Sequence, residues 1–409
     1  MERLEYLVKI GVIEVKNNGQ YIPKEHKSRY YKLNDEYLKY EWGLIEVNKK
    51  SLVSKRKDDV EAYEKMHEEY GYLIKWFNDK LQINYARSYA MLNHLMEIEG
   101  DGDIHKKEKD KSSPWEKYLL RLNNLKLLHQ GMYRYSVDDK VRRFHSNLTN
   151  LKSELRNYIT YDGHQLCAID VKNSQPFISI ALFNPEFYNI SGQTLNLRQI
   201  HSNIYYSTLK SIPTILSTIN PNNITNSFYY IMLVNPAQLE DKETTDIQRY
   251  CYLSDKGLLY KFISEKYFIK TGKKLDVNIP AEKRELKDAI FATLFSDNRF
   301  IGQPEAEMKR FFRELFPNVY KVFSLIKKGG NNAHLPVILQ LIESEVIIRR
   351  AAKRIAQDRP ELPLFTVHDS IVTIDTPDNK EMVKTVLKEE FEGAIGLRPN
   401  LNPEPWRRK

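Results

Sequence analysis

Two short apolar segments of this chain each lead to an aspartate, as a buried strand does where it meets a turn. Cys167–Ile169 is followed by Asp170, and Leu364–Val367 is followed by His368 and Asp369. Short runs of this composition predict strands. Because the aspartates lie far apart in the sequence, their carboxylates can meet only in a fold that places these distant strands side by side.

Paired carboxylates on rigid strands suit divalent cations. Two cations about 3.5–4 Å apart can activate an attacking hydroxyl and stabilise a leaving phosphate oxygen, and such hard cations prefer carboxylate oxygens. Asp170 and Asp369 are therefore candidate metal ligands for phosphoryl chemistry. Nucleases, phosphatases and nucleotidyltransferases share this signal, and either aspartate alone could equally be a turn residue.

The composition indicates a folded protein with an anionic partner. The chain has 409 residues, of which 41% are hydrophobic, and its 63 Lys and Arg against 54 Asp and Glu give a formal net charge of +9. This charge favours binding of nucleic acid. Two cysteines allow neither a disulfide framework nor a four-cysteine zinc site. In the absence of a signal sequence or a long apolar run, we expect a cytoplasmic protein without a membrane partner.

Periodicity separates several stretches of the chain. Residues 1–45 alternate apolar and polar positions around turn signals, which predicts a small ribbon or winged element. Residues 46–140 are mostly helical in pattern, and Ser113 with Pro114 marks the start of one helix. Residues 187–248 are rich in Asn, Ile, Ser, Thr and Tyr and are interpreted as an insertion.

The helix predicted over Glu282–Phe295 has one face that is cationic at its start and aromatic at its end. Lys283, Lys287, Phe291 and Phe295 follow one another at intervals of four residues, so they share a face. Cations at one end suit a triphosphate, and aromatic rings at the other suit a base and a sugar. The alternative is an ordinary amphipathic helix with a solvated basic end.

These stretches occur in an order found in a known group of enzymes. They are Arg143–Ser146 with Asn150 and Leu151, then Asp170, then Lys283–Phe295, and finally Gln340 with His368 and Asp369. Roughly residues 115–375 thereby resemble the polymerase domain of family A DNA polymerases and of the related phage-type single-subunit RNA polymerases. The order and spacing of the motifs carry this resemblance more than any one motif does.

The resemblance implies an α+β fold of the right-hand polymerase type, in which an antiparallel palm sheet adjoins helical fingers and a helical thumb. The N-terminal element at 1–45 would be a small α/β or winged addition. The other expected regions are a thumb-like region at 46–140, the palm with the first catalytic strand at 141–186, the insertion at 187–248, the fingers at 249–330 and the palm with the second catalytic strand at 331–409.

The resemblance also assigns roles to the residues that would carry out the chemistry. Asp170, the carbonyl of Val171 and Asp369 would bind two Mg²⁺ ions, or Mn²⁺ in their place. Lys287 would be catalytic, because in this family a lysine at this position neutralises charge as pyrophosphate departs. The fingers helix would contact the incoming nucleotide through Lys283 or Arg284, Lys287, Phe291 and Phe295.

A second group of residues would hold the primer and template. The basic helix after Gln340, with Arg349, Arg350 and Arg354, would follow the nucleic-acid backbone. The resemblance implies nucleic-acid contacts for Arg143, His145, Ser146, Asn150, Gln340 and His368.

Three departures from the family leave the sugar preference open. Gln175 stands where the DNA enzymes carry a glutamate that helps to exclude a ribose 2′-hydroxyl. Gln175 is therefore a candidate nucleotide contact, and its neutral amide would exclude the 2′-hydroxyl less strictly. Ser370 replaces a glutamate common in the DNA enzymes. Phe295 stands where both groups often carry tyrosine.

We therefore expect a template-dependent nucleotidyltransferase, in first place a compact DNA polymerase without a proofreading domain. Its partners would be primer and template DNA, or RNA, and nucleoside triphosphates, in a bacterial, phage or mobile-element context. The alternatives are a single-subunit RNA polymerase, a primer-synthesising enzyme, a non-catalytic nucleic-acid-binding replication protein and a metal-dependent nuclease.

Overall fold

The computed structural model describes most of the chain from residue 50 onward. Apart from isolated residues, the described ranges are 12–16, 30–34, 50–101, 114–188, 194–200, 211–219, 244–328 and 333–407. The chain divides into two compact units, Met1–Glu64 and Lys65–Lys409. Within these ranges no helix is both long and apolar enough to cross a lipid bilayer.

The first unit contains an antiparallel strand pair. Strand β1, Ile13–Lys16, pairs with β2, Tyr30–Leu33, so that Ile13 lies opposite Leu33. Both strands lie within residues 1–45, for which a ribbon or winged element is predicted, and that assignment stays a prediction. The turn signals predicted between the two strands lie outside the described residues.

The centre of the second unit is an antiparallel sheet in the order β3, β6, β7, β9, β8, with β10 also paired to β7. A separate hairpin joins β4 to β5. With the helices around it, this sheet confirms the predicted α+β class. The strands are β3 Leu81–Ile83, β4 Tyr135–Val137, β5 Phe144–Ser146, β6 Ile159–Tyr161, β7 His164–Val171, β8 Phe365–Val367, β9 Ser370–Ile374 and β10 Leu401–Pro405.

Helices both precede and follow β7 in the chain. Helix α3 begins at Pro114, as the capping pattern predicted. The helices before β7 are α1 Lys50–Ile74, α2 Tyr85–Asp101, α3 Pro114–His129 and α4 Ser153–Arg156. Those directly after it are α5 Ser174–Ser179, the 3₁₀ turns Ile180–Phe183 and Pro185–Tyr188, α6 Leu197–Ile200 and α7 Ser211–Ile219.

The remaining helices include the predicted nucleotide helix, which forms over Pro280–Phe295. They are α8 Asp246–Asp255, α9 Leu259–Thr271, α10 Pro280–Phe295, the 3₁₀ turns Asn298–Gly302 and Pro304–Ala306, α11 Glu307–Leu315, α12 Pro317–Ile326, α13 His334–Ser344, α14 Lys353–Asp358 and α15 Pro377–Ile395. A π-helical stretch, Glu345–Ala352, joins α13 to α14. Such stretches often occur near functional sites.

Both faces of the central sheet are buried. Because successive side chains of a strand point to opposite faces, Cys167 and Ile169 enter the larger apolar cluster, which includes residues of α8, α12 and α13. Leu166 and Ala168 enter the smaller cluster, which includes residues of α2 and α3. Strand β7 is therefore held on both faces and along both edges.

Truncation of Phe365 tests whether the smaller apolar cluster stabilises the fold. Its side chain is fully buried, and its ring centroid lies 5.3 Å from that of Phe77 in an edge-to-face contact. We expect Phe365→Ala to lower the free energy of unfolding by about 3–5 kcal/mol, because a cavity replaces these contacts. The measurement is a urea titration followed by circular dichroism.

The matched control for this substitution is Phe268→Ala, since the Phe268 residue is 49% exposed. It should change the free energy of unfolding by no more than about 0.5 kcal/mol. Equal losses for the two variants would contradict the assigned core.

Candidate active site

The hairpin of β8 and β9 has a two-residue turn made of His368 and Asp369. Val367 pairs with Ser370, so only these two residues connect the strands. His368 has a φ of 53°, in the left-handed region that tight hairpin turns require. The turn places the Asp369 side chain at the end of the sheet, outside the ladder.

The sheet brings the two predicted aspartates together. Asp170 lies opposite Ser370 in the ladder between β7 and β9. The backbone N–H of Val171 donates to the carbonyl oxygen of Asp369 at 3.4 Å. The carboxylates thus share one end of adjacent strands, although 198 residues separate them in the printed sequence.

This proximity has an electrostatic cost. Burial is the largest of the effects that raise the pKa of Asp170 to about 8, followed by the charge of Asp369 and a hydrogen bond between the two side chains. The charge of Glu404 acts in the same direction, whereas that of Lys287 opposes it. A bound cation would remove the repulsion between the carboxylates.

A cleft of about 210 Å³ lies beside the pair, and Asp170, Asp369, His368, Arg156 and Glu404 are among its lining residues. Loss of hydration lowers the pKa of Arg156, while the charges of Glu404 and Glu154 favour its cationic form. The cleft therefore combines carboxylates with a guanidinium, and a guanidinium can donate hydrogen bonds to phosphate oxygens.

Glu404 is a functional candidate that the sequence did not indicate. It lies on β10 opposite Ala168, hence on the same sheet face as Asp170. Pro403 and Pro405 flank it. Prolines argue against a strand unless it lies at an edge, so only the pairing with β7 reveals this carboxylate.

The aspartate pair has the donor chemistry of a magnesium site with two protein carboxylates. Among the described residues, no three or more His, Cys, Asp or Glu side chains are arranged to hold a metal ion. Mg²⁺ typically binds one or two carboxylates together with substrate phosphates and waters, and the Asp170 and Asp369 pair matches this mode. The Val171 carbonyl stays a predicted third ligand.

Helix α10 carries the predicted cationic and aromatic face. Leu286 and Ile290 of this helix are buried in the larger apolar cluster, and Phe291 and Phe295 pack against that cluster. The Phe291 and Phe295 rings stack with centroids 5.4 Å apart, and Lys287 acts on the charge of Asp170.

The two other predicted cations of this helix are Lys283 and Arg284, and both are exposed. Lys287 acts on Asp170 through its charge, and Lys283 and Arg284 lie about one helical turn before it. Their predicted contacts with a triphosphate stay predictions.

A buried polar cluster adjoins the aspartates. The Arg143 guanidinium donates to Glu343 Oε1 from Nε at 3.0 Å and from Nη2 at 2.5 Å. Gln175 Nε2 donates to Glu343 Oε2 at 2.6 Å. Burial and the charge of Asp369 raise the pKa of Glu343, to about 7, against the lowering effect of Arg143.

The sequence indicated Arg143 and Gln175 but not Glu343. An acidic residue in the amphipathic pattern of α13 is expected to be exposed to solvent, whereas Glu343 is only 2% exposed. Its partner Arg143 lies 200 residues away. The Arg143 guanidinium donates hydrogen bonds to this carboxylate, and its predicted contact with nucleic acid stays a prediction.

The other predicted nucleic-acid contacts differ in accessibility. Asn150 and His368 are exposed, and His145 and Gln340 are half-buried. Ser146 is buried, and its hydroxyl accepts from the backbone N–H of Leu148. A contact between Ser146 and nucleic acid would therefore require this turn to open.

The arginines predicted to follow a nucleic-acid backbone have carboxylate partners. Arg349 pairs with Glu69 at 3.0 Å. Arg354 pairs with Glu389 at 2.7 Å and with Glu390 at 3.1 Å. These ion pairs neutralise much of the charge that the predicted track would offer to phosphates.

No protein-family model matches the chain, and no curated protein gives a significant sequence match.

The repulsion between the aspartates predicts a pH-dependent stability. The pKa of Asp170 is raised to about 8. Its contribution to the free energy of unfolding is therefore fully present below the unfolded-state pKa of about 3.9 and is lost as the pH rises through 8. With a chelator present to remove divalent cations, the Asp170→Asn variant should therefore have a higher melting temperature than the wild type at pH 8.5. This difference in melting temperature should shrink towards pH 4.5.

Thermal melts followed by circular dichroism measure this difference. The control is Asp162→Asn, because Asp162 forms an exposed ion pair with Lys80. A wild type that melts above Asp170→Asn at pH 8.5 would contradict the assigned repulsion.

Proposed function

We propose that this chain is a template-dependent nucleotidyltransferase of the right-hand polymerase type. The central sheet would be the palm, α2 and α3 the thumb, and α8 to α12 the fingers. The observation that carries the proposal is the adjacency of Asp170 and Asp369 on β7 and the β8–β9 turn, with Lys287 of α10 acting on the same charge.

The paired carboxylates would hold two Mg²⁺ ions. When bound, these ions supply activation of the primer 3′-hydroxyl and stabilisation of the charge on the triphosphate. Strand pairing fixes the backbones of Asp170 and Ser370, so the two aspartates are held before substrate arrives. Preorganisation of this kind avoids rearrangement during the reaction.

Helix α10 would bind the incoming nucleotide. Lys287 would donate hydrogen bonds to the phosphates and could deliver a proton to the departing pyrophosphate. The stacked rings of Phe291 and Phe295 offer an apolar surface to the base and sugar. A positive charge near the carboxylates and an aromatic surface farther along the helix match the polarity of a nucleotide.

A DNA polymerase is the first form of this proposal, because the Arg143–Leu151 and Gln340 stretches resemble the DNA enzymes. Gln175 and Ser370 keep an RNA polymerase or primer-synthesising enzyme as the second form. A primed-template extension assay with dNTPs or NTPs separates both from a non-catalytic binding protein, which would give only a mobility shift. Substrate shortening without nucleotides would indicate a nuclease.

The aspartates provide the direct test of the proposal. Asp170→Asn and Asp369→Asn should each reduce nucleotide incorporation by about 10²–10³-fold or more, because each removes one charge that stabilises the transition state. The measurement is single-nucleotide extension of a labelled primer with Mg²⁺. Full activity in either variant would show that the two-metal assignment is wrong.

The control for the loss of a charge is Asp162→Asn. Asp162 lies in the turn between β6 and β7, and this variant should retain activity. Binding of primed template, measured by mobility shift, should stay within a few-fold of the wild type in all three variants. Loss of binding in the aspartate variants would point to a structural role instead.

Lys287 is expected to act on the rate more than on folding. Lys287→Met keeps most of the side-chain volume and should lower the maximal incorporation rate by about 10²–10⁴-fold, as loss of a proton donor does. Pre-steady-state extension measures the rate. The control is Lys321→Met on α12, which is exposed, and equal rates in the two variants would overturn the role.

A further inference from the structure

The helix that carries Glu343 changes its backbone hydrogen-bond register shortly after this residue. Helix α13 ends at Ser344, and the π-helical stretch runs from Glu345 to Ala352. In such a stretch each backbone hydrogen bond spans five residues instead of four, and these stretches are rare and occur frequently at functional sites. A rare register next to Glu343 therefore calls for a physical cause.

Ion pairs within the π-helical stretch match its wide register. Glu345 pairs with Arg349, four residues on, and with Arg350, five residues on, each at 3.4 Å. In an α-helix, the side chains that are neighbours lie three or four residues apart. The contact with Arg350 therefore belongs to the π register, although an ion pair at a partly exposed position contributes too little to hold that register alone.

Helix α1 contacts the π-helical stretch from outside. The Tyr72 hydroxyl donates to the carbonyl oxygen of Ile348 at 2.8 Å, and Glu69 pairs with Arg349 at 3.0 Å. Burial raises the pKa of Tyr72, so the hydroxyl keeps its proton and stays a donor. The hydroxyl thus holds a backbone atom of the stretch, whereas the ion pair holds only a side chain.

A change of register would rotate one side of this long helix against the other. One residue added to or removed from a helical turn corresponds to a rotation of about 100° and a shift of about 1.5 Å. Helix α14 is tied to α15, since Arg354 pairs with Glu389 at 2.7 Å and with Glu390 at 3.1 Å. We therefore expect α13 to move, and Glu343 would then leave Arg143.

The Glu343 carboxyl group is where this movement would be felt. It is buried and receives hydrogen bonds from Arg143 at 3.0 Å and from Gln175 at 2.6 Å. Its pKa responds to the charge of Asp369, so the group lies near the aspartates. A change of register would leave a buried carboxyl group without these partners, which is costly, and would release both Arg143 and Gln175.

We propose that Tyr72 is a positioning residue: its hydroxyl holds the π register, and this register keeps Glu343 in contact with Arg143 and Gln175. Helix α1 thereby controls the geometry of the candidate active site without touching the substrate. The inference rests on the proposed function in its kinetic test alone.

The first experiment measures backbone hydrogen exchange by mass spectrometry, which needs no activity. Tyr72→Phe removes only the hydroxyl and should raise the exchange rates by about tenfold in the π-helical stretch and in α5, Ser174–Ser179, which contains Gln175. Strand β9 should exchange as in the wild type. Unchanged exchange in α5, or an equal rise in β9, would overturn the inference.

The second experiment tests whether Tyr72 acts through Glu343. Tyr72→Phe should lower kcat/KM for single-nucleotide extension by about tenfold. In the Glu343→Gln protein the same substitution should have a further effect of about twofold or less, because the contact that it acts through is already lost. A tenfold loss in both backgrounds would show that Tyr72 acts independently of Glu343 and would overturn the inference.

Two further variants support the interpretation. Tyr63→Phe changes a tyrosine of the same helix that is 52% exposed, and it should alter neither exchange nor extension. Glu69→Gln removes the second contact of α1 with the stretch and should raise exchange in the same two segments, also where Tyr72→Phe folds poorly. Unchanged exchange in Glu69→Gln together with losses in Tyr63→Phe would overturn the inference.

The exchange data separate this inference from the catalytic proposal. If no nucleotide is incorporated but exchange in α5 rises in Tyr72→Phe, the nucleotidyltransferase proposal fails and the role of Tyr72 stands. If extension occurs and exchange in α5 is unchanged, the role of Tyr72 fails and the proposed function stands.

Discussion

The pairing of β7 with its three neighbouring strands is the constraint on which the rest of the second unit depends. This strand forms ladders with β6, β9 and β10, and both of its faces are buried. A slip of one residue would exchange its two faces and would turn Asp170 away from its present face. Packing of the core and geometry of the site are therefore enforced by the same hydrogen bonds.

Glu343 and Asp170 are carboxylates near this end of the sheet, and they differ in the groups that surround them. Glu343 is buried but receives hydrogen bonds from Arg143 and Gln175. Asp170 faces Asp369, with the charge of Glu404 adding to the repulsion and that of Lys287 opposing it. The first arrangement stabilises a fixed cluster, whereas the second favours a cation as ligand. This contrast is the reason that we propose a cation site at the aspartates and not at Glu343.

Features set by local patterns could be predicted from the sequence. The start of α3 at Pro114 and the shared face of Lys287 and Phe291 on α10 depend on capping and on the spacing of a helical turn. Burial of Glu343 could not be predicted, because its partner is remote. The predicted track of arginines did not anticipate carboxylate partners such as Glu69 for Arg349, since ion pairs between distant segments leave no local signal.

The sequence by itself determined that two apolar strands lead to aspartates and that a helix carries cations and aromatic rings on one face. These properties depend on residues a few positions apart. Only the tertiary structure decided that the aspartates meet, that Glu404 joins their cleft and that Gln175 donates to Glu343. Each of these contacts depends on strand register and burial between segments remote in the chain, which no local pattern encodes.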